Sequence, residues 1–149
     1  MFKTILVPTD GSPLSAKAVA AAIRLAKLGG GRIIAFHAAE PYPIQLAYAA
    51  EGSGVPSLQP ESFAQRSREH ATRVLEDVAA AAAAEIVACS TAFAIDHSAS
   101  EAIVRMALQE KCDLIVMASH GRRGLKGFLL GSETQKVLTH SSIPVLVYR

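Results

Sequence analysis

The chain has 149 residues, of which 50% are hydrophobic, and a net charge of +2 from 15 basic and 13 acidic residues. This is enough apolar material for one domain with its own core, and the basic residues are too dispersed to form the stripe that nucleic-acid binding needs. Residues 1–8 contain only a short apolar run, which is neither a signal peptide nor a membrane span, so we expect a cytoplasmic protein with no membrane partner.

The first part of the chain predicts a strand, a helix and a second strand. Residues 3–8 form an apolar run, after which Ser12 supplies a helix N-cap and Pro13 occupies the first helical position. Apolar residues then recur at helical spacing as far as the three glycines at 29–31, which end the helix. Residues 32–38 follow as the second strand.

The stretch from 39 to 61 shows neither helical nor strand periodicity. It contains prolines at 41, 43, 56 and 60 and glycines at 52 and 54. Such residues interrupt regular structure, so we expect a long loop, a kind of connection that is usually functional or mobile.

The second half predicts alternating helices and strands. We expect a helix over 62–84, a strand over 85–95, a helix capped by Ser98 or Ser100, a nearly all-apolar strand over 113–118, a helix over about 132–140 and a strand over 143–148. This alternation indicates an α/β fold with a parallel sheet and helices on both faces. In such sheets, ligands bind beyond the carboxyl ends of the strands, where the strand order reverses.

The loop from Ala118 to Ser132 carries the strongest chemical signal, with glycines at 121, 124, 127 and 131. Glycines let the backbone approach an anion closely, and a helix that begins near Ser132 offers free N–H groups and a positive dipole end. These features predict a phosphate site, although the spacing matches neither a Walker loop nor a Rossmann fingerprint. The alternative is that the glycines form only a tight connection before a capped helix.

Four segments together resemble the universal stress protein family: Val7–Ser12, Met117–Gly121, Leu130–Ser132 and Ser142–Val147. The resemblance spans the chain and implies a single domain over 1–149. It also implies a five-stranded Rossmann-like sheet of the adenine nucleotide alpha hydrolase type, in the order 3-2-1-4-5. Family members that bind ATP carry glycine, two residues, glycine, nine residues, then glycine and a hydroxyl residue. Gly121, Gly131 and Ser132 fit this pattern, whereas Ala118 replaces its first glycine.

The resemblance implies ATP, with Mg²⁺ held mainly by phosphate oxygens, as the ligand. It places the Asp10 carboxylate near the adenine or ribose, while the alternative role of Asp10 is to cap the turn before Ser12. The other residues expected around the base and sugar are Pro8, Thr9, the Ala38 backbone and Met117. Those expected along the phosphates are Ala118, Ser119, His120, Gly121, Arg122, Arg123, Gly131, Ser132, Glu133 and Thr134.

Four of these residues leave alternatives open. Glu133 near a helix N-terminus suits the dipole but repels phosphate, so we expect its carboxylate to point away from the site. Arg122 and Arg123 either meet phosphates or only solvate the loop. His120 has no visible partner that would orient it as an acid or base, and the histidines at 37, 70, 97 and 140 form no ligand pair.

These features favour an ATP-binding regulatory protein in which nucleotide occupancy changes contacts with a protein partner that the sequence does not identify. One alternative is a stress protein of the same fold that acts through protein contacts alone. Another is a slow ATPase with Asp10, Glu133 or His120 as base, which is disfavoured because no triad or pair of carboxylates is visible. A homodimer is also expected, since residues 143–148 form an apolar edge strand in the implied order.

The two cysteines, Cys89 and Cys112, have neither metal-site nor disulfide spacing. In the implied strand order they are three strand spacings apart, about 14 Å, whereas disulfide-linked Cα atoms lie within about 7 Å. We therefore expect two free thiols.

Overall fold

The computed structural model describes residues 1–50, 53, 59–121 and 130–149. The elements, in chain order, are β1 (Thr4–Pro8), α1 (Pro13–Gly29), β2 (Arg32–Ala39), α2 (Ile44–Ala50), α3 (Pro60–Ala84), β3 (Ala88–Ile95), α4 (Ala99–Gln109), β4 (Leu114–Ala118), α5 (Ser132–His140) and β5 (Val145–Tyr148). The strands form a parallel sheet in the order β3-β2-β1-β4-β5. The predicted fold class and strand order are confirmed.

Local sequence explains where α1 begins and ends. The Ser12 side chain accepts a hydrogen bond from Ser15 N at 3.2 Å, and Pro13 occupies the first turn, where its missing N–H costs nothing. At the other end Gly30 adopts a left-handed φ of 60°, and Gly31 N donates to Ala26 O at 2.8 Å. The second strand can therefore start directly after the helix, at Arg32.

The core lies on both faces of the sheet because side chains alternate along each strand. On β1, Ile5 and Val7 join the cluster that α1 and α3 cover, while Leu6 joins the cluster that α4 and α5 cover. All three are 0% exposed, as expected for a central parallel strand with helices on both sides.

The prediction of an unbroken loop over 39–61 is wrong for residues 44–50, which form α2. The prolines at 41 and 43 interrupt the chain before this helix, but its own sequence, IQLAYAA, contains neither proline nor glycine. The helix is too short for its periodicity to stand out between such neighbours. Residues 51–52 and 54–58 lie outside the described part of the chain.

Smaller differences concern element ends. The third strand begins at Ala88, not at 85, because residues 85–87 turn back onto α3: Val87 N donates to Ala82 O at 2.9 Å, and Ile86 takes a φ of 58°. The last strand begins at Val145. No helix among the described residues is long and apolar enough to span a membrane.

The two cysteines are free and lie on opposite faces of the sheet, which confirms the prediction of two thiols. Cys89 on β3 packs against the cluster under α1 and α3, and Cys112, just before β4, lies in the cluster under α4 and α5. Burial raises the pKa of both thiols, that of Cys112 to about 11.

Two thiols should therefore be counted when the protein is titrated with a thiol reagent in denaturant without reductant. In the folded protein at pH 8, Cys112 should react slowly because it is 6% exposed and because burial raises its pKa to about 11, so that little of it is thiolate. A count of zero in denaturant would contradict this arrangement.

Candidate functional site

The carboxyl ends of β1 and β4 lie side by side, and the chain leaves them on opposite faces of the sheet. β1 pairs directly with β4 through Ile5↔Leu114 and Leu6↔Ile115. The helix that follows β1 packs on one face, and the helix that follows β4 packs on the other. We call residues 9–12, 119–121 and 130–134 the β1/β4 edge. This is the position at which the strand order reverses.

Thr9 anchors the first side of the β1/β4 edge. It is 7% exposed, and its N–H donates to Phe36 O at 2.9 Å. Its hydroxyl donates to Ser15 Oγ at 3.1 Å and accepts from Gly11 N at 3.3 Å. Because both backbone and side chain are bonded, the residue before Asp10 has a fixed orientation.

Asp10 caps the turn and also faces the opposite loop. One carboxylate oxygen, Oδ1, accepts from Ser12 N at 3.0 Å, which is the turn-capping role that the sequence left open. The other, Oδ2, lies so near Gly121 that a Cβ at that glycine would be only 2.7 Å away. Gly121 therefore allows the loop after β4 to approach the carboxylate at the end of β1.

The start of α5 forms the other side of the edge. Its N-cap is Gly131, whose N–H donates to Ser119 O at 2.8 Å. A Cβ at this glycine would lie 3.2 Å from His120 Cα, which is closer than side chains ordinarily pack. Glycine also offers no side-chain acceptor to the first-turn N–H groups, so among the described residues no N-cap side chain occupies the positive end of this helix.

The two hydroxyls at this helix start have different environments. Ser132 is exposed, whereas Thr134 is 3% exposed and donates from Oγ1 to Ala118 O at 3.1 Å. Thr134 thus fixes α5 to the end of β4. Ser132 is the hydroxyl that an outside ligand can reach.

Glu133 turns its carboxylate towards α4. Its Oε2 accepts from Ser100 N at 2.7 Å, and its Oε1 accepts from Lys136 Nζ at 2.8 Å. Burial would raise the pKa of Glu133, but the hydrogen bonds from Lys136 and Ser100 outweigh it and lower that pKa below its usual value. The negative charge stabilises the first turn of α4, where Ser98 also accepts from Glu101 N.

The remaining predicted residues line the strand ends or lie outside the described residues. Pro8 ends β1, Ala38 pairs with Ala94 near the end of β2, and Met117 and Ala118 are buried at the end of β4. The Ala118 residue belongs to the core cluster under α1 and α3, so its methyl group is part of the packing there. Arg122 and Arg123 lie outside the described part of the chain.

His120 has a partner that the sequence analysis missed. Its Nδ1 lies 3.2 Å from the hydroxyl of Ser119, the residue before it. A hydroxyl orients the ring but does not stabilise an imidazolium as a carboxylate does, so this contact gives little support to a catalytic base.

His37 is not among the predicted site residues, but its side chain reaches the β1/β4 edge. It is 7% exposed, and its Nδ1 lies 2.8 Å from Thr9 O. The only sequence signal was its position near the end of a strand that is next to β1 in the implied order. Register alone does not tell which backbone atom such a side chain meets.

The comparisons with a family model, with related sequences and with solved structures agree on one protein family. The model of the "Universal stress protein family" matches residues 1–149. A universal stress protein of Thermus aquaticus is 37% identical over 149 residues, which is all of both chains. The solved structure of a Methanocaldococcus jannaschii universal stress protein, 27% identical, aligns with a TM-score of 0.80 over 99% of this chain and 96% of that one.

Two further solved structures with the same fold are described with bound adenine nucleotides. One is a universal stress protein in complex with cAMP, with a TM-score of 0.73, 23% identity and coverage of 99% and 97%. The other is an Archaeoglobus fulgidus universal stress protein in complex with dAMP, with a TM-score of 0.66, 15% identity and coverage of 99% and 98%. At these identities the likeness to this chain is one of fold.

The contact between Glu133 and α4 predicts a pH-dependent contribution to stability. Glu133→Gln should lower the free energy of unfolding at pH 7 by about 0.3–1 kcal/mol, the usual contribution of a charge at a helix end. Because the pKa is lowered on folding, this contribution is present above the unfolded value of about 4.3 and is lost as the pH falls through the folded value. Urea unfolding of both proteins at pH 7 and pH 3 measures it; a difference as large at pH 3 would contradict the assignment.

Proposed function

This chain belongs to the universal stress protein family, and we propose that it binds ATP at the β1/β4 edge. The observation that carries the proposal is the start of α5, where the N-cap is a glycine and, within the described part of the chain, no side chain caps the positive end of the helix. Adenine nucleotides bound to two proteins of the same fold support the ligand class. The 3.2 Å separation between a Cβ at Gly131 and the His120 backbone explains why a glycine is needed there.

In this proposal the triphosphate meets the first-turn N–H groups of α5 and the exposed hydroxyl of Ser132. The adenosine extends towards Asp10, whose second carboxylate oxygen faces Gly121, and towards the strand ends at Pro8, Ala38 and Met117. Arg122 and Arg123 remain predicted phosphate contacts. Mg²⁺ would be held mainly by phosphate oxygens, since no group of three or more His, Cys, Asp or Glu in the described part of the chain could hold a metal.

A regulatory role is favoured over hydrolysis because each candidate base is otherwise engaged. The carboxylate of Glu133 is held by Ser100 and Lys136, and one oxygen of Asp10 is held by Ser12. Among the described residues, the ring of His120 has the neighbouring Ser119 hydroxyl as its hydrogen-bond partner and no carboxylate. We propose that nucleotide occupancy changes the contacts of the protein with a partner in the cytoplasm.

Calorimetric titration of nucleotide-free protein with ATP and Mg²⁺ tests this function. Gly131→Val should remove binding, because its side chain would collide with the Ser119–His120 backbone and displace the first turn of α5, which is proposed to meet the phosphates. Ser132→Ala should weaken binding roughly ten- to a hundredfold, since a hydrogen bond to a charged group contributes about 1.5–3 kcal/mol.

Thr139→Ala is the matched control, because it removes a hydroxyl at the far end of the same helix. It should leave the affinity unchanged. If the unmodified protein shows no binding heat and no thermal stabilisation at millimolar ATP, nucleotide binding is rejected. A module that acts through protein contacts alone is then favoured.

We also propose that two copies associate through β5. Within the described residues this strand pairs with β4 on one side, and Leu146 is 37% exposed. An open apolar strand edge favours pairing with another chain, and antiparallel pairing of two copies about a twofold axis would satisfy its free backbone groups.

Light scattering at micromolar concentration should therefore give the mass of a dimer. Val145→Lys or Val147→Lys should yield monomers or insoluble protein, because lysine on an edge strand opposes pairing. Leu108→Lys, at a residue of α4 that is 54% exposed, is the control and should remain dimeric. A monomeric unmodified protein would contradict the assembly.

A further inference from the structure

We propose that His37 is a positioning residue for the nucleotide site: it holds the Thr9 carbonyl and thereby sets the direction of Asp10. The inference rests on the proposed function, because it concerns the adenosine half of that site. The His37 side chain comes from β2, while the Thr9 carbonyl that it holds follows β1. The contact therefore ties two strand ends together at the point where the ligand is expected.

The hydrogen bond fixes the proton on one ring nitrogen. Nδ1 lies 2.8 Å from the Thr9 carbonyl oxygen, and a carbonyl oxygen can only accept, so Nδ1 carries the hydrogen. The ring is 7% exposed, so water competes little for this contact. A buried hydrogen bond of this kind restricts the peptide group that accepts it.

Aromatic neighbours hold the ring from two further elements. Phe93 on β3 lies parallel to it, with ring centroids 6.2 Å apart and an interplanar angle of 9°. His70 on α3 meets it edge-on, at 5.3 Å and 74°. Rotation of the imidazole would break one of these contacts, so the donor has a fixed place relative to the sheet.

The accepting carbonyl belongs to the peptide group that joins Thr9 to Asp10. Thr9 N is bonded to Phe36 O, so β2 holds this residue through its backbone at one end and through His37 at the other. Loss of the donor would remove one restraint on the Thr9–Asp10 peptide, so the Asp10 carboxylate would keep its direction towards Gly121 less firmly. The start of α5 would keep its place, because Ser119 and Ala118 hold it separately.

The position of His37 therefore predicts an effect on adenosine recognition without an effect on phosphate recognition. His37→Leu keeps a side chain of similar bulk but removes the donor, and it should weaken ATP binding about 5- to 20-fold. The affinity for inorganic tripolyphosphate should change less than twofold. His37→Asn, whose amide nitrogen can take the place of Nδ1, should recover most of the ATP affinity.

His140→Leu is the matched control. His140 makes the same kind of contact, from Nδ1 to Lys136 O at 2.8 Å, but at the end of α5 remote from the carboxyl edge of the sheet. Its replacement should leave the affinities for both ligands unchanged. Calorimetric titration of the four proteins with each ligand gives the comparison.

Three results would overturn the inference. If His37→Leu binds ATP with wild-type affinity, the inference is rejected and the proposed function stands. If His37→Leu loses affinity for ATP and for tripolyphosphate equally, His37 has only a structural role. No ATP binding by the unmodified protein would reject both.

If His37→Leu does not fold, nitrogen-15 NMR of the unmodified protein still tests whether His37 positions the nucleotide site. Its His37 Nδ1 should carry a proton, and the His37 ring signals should shift on addition of ATP while those of His140 stay fixed. Unchanged His37 signals at saturating ATP would overturn the inference.

Discussion

The direct pairing of β1 with β4 is the constraint on which the candidate site depends. Both strands run in the same direction, so their carboxyl ends meet at one edge of the sheet. Helix α1 then covers the face that contains Ile5 and Val7, while α5 covers the face that contains Leu6. Since the two connections diverge, side chains from the described parts of both can face the edge between them, which is where ligands bind in sheets of this kind.

Three helices begin after β1, β3 and β4, and their first turns are stabilised in different ways. Ser12 caps α1, and Ser98 together with the carboxylate of Glu133 caps α4. The N-cap of α5 is Gly131, which has no side chain to act as a cap, and the carboxylate of Glu133 in the first turn of α5 contacts α4. The positive end of α5 is thus left for an anion from outside, which connects the capping chemistry to the proposed function.

Local signals predicted much of the fold, and non-local contacts account for what was missed. Ser12, Pro13 and the glycines at 29–31 predicted the limits of α1, and the resemblance implied the strand order. The role of Glu133 depends on Ser100, which is 33 residues away, and that of His37 on Thr9, which is 28 residues away. Such partners are set by the packing of elements rather than by spacing in the sequence, so the sequence offered the residues but not their contacts.

Whether an adenine nucleotide binds at the β1/β4 edge can be seen in a crystal structure of the protein grown with ATP and Mg²⁺. We expect the triphosphate at Gly131 and Ser132, in contact with the first-turn N–H groups of α5, and the adenosine beside Asp10. A nucleotide bound elsewhere on the molecule, or an empty edge at millimolar ATP, would contradict it.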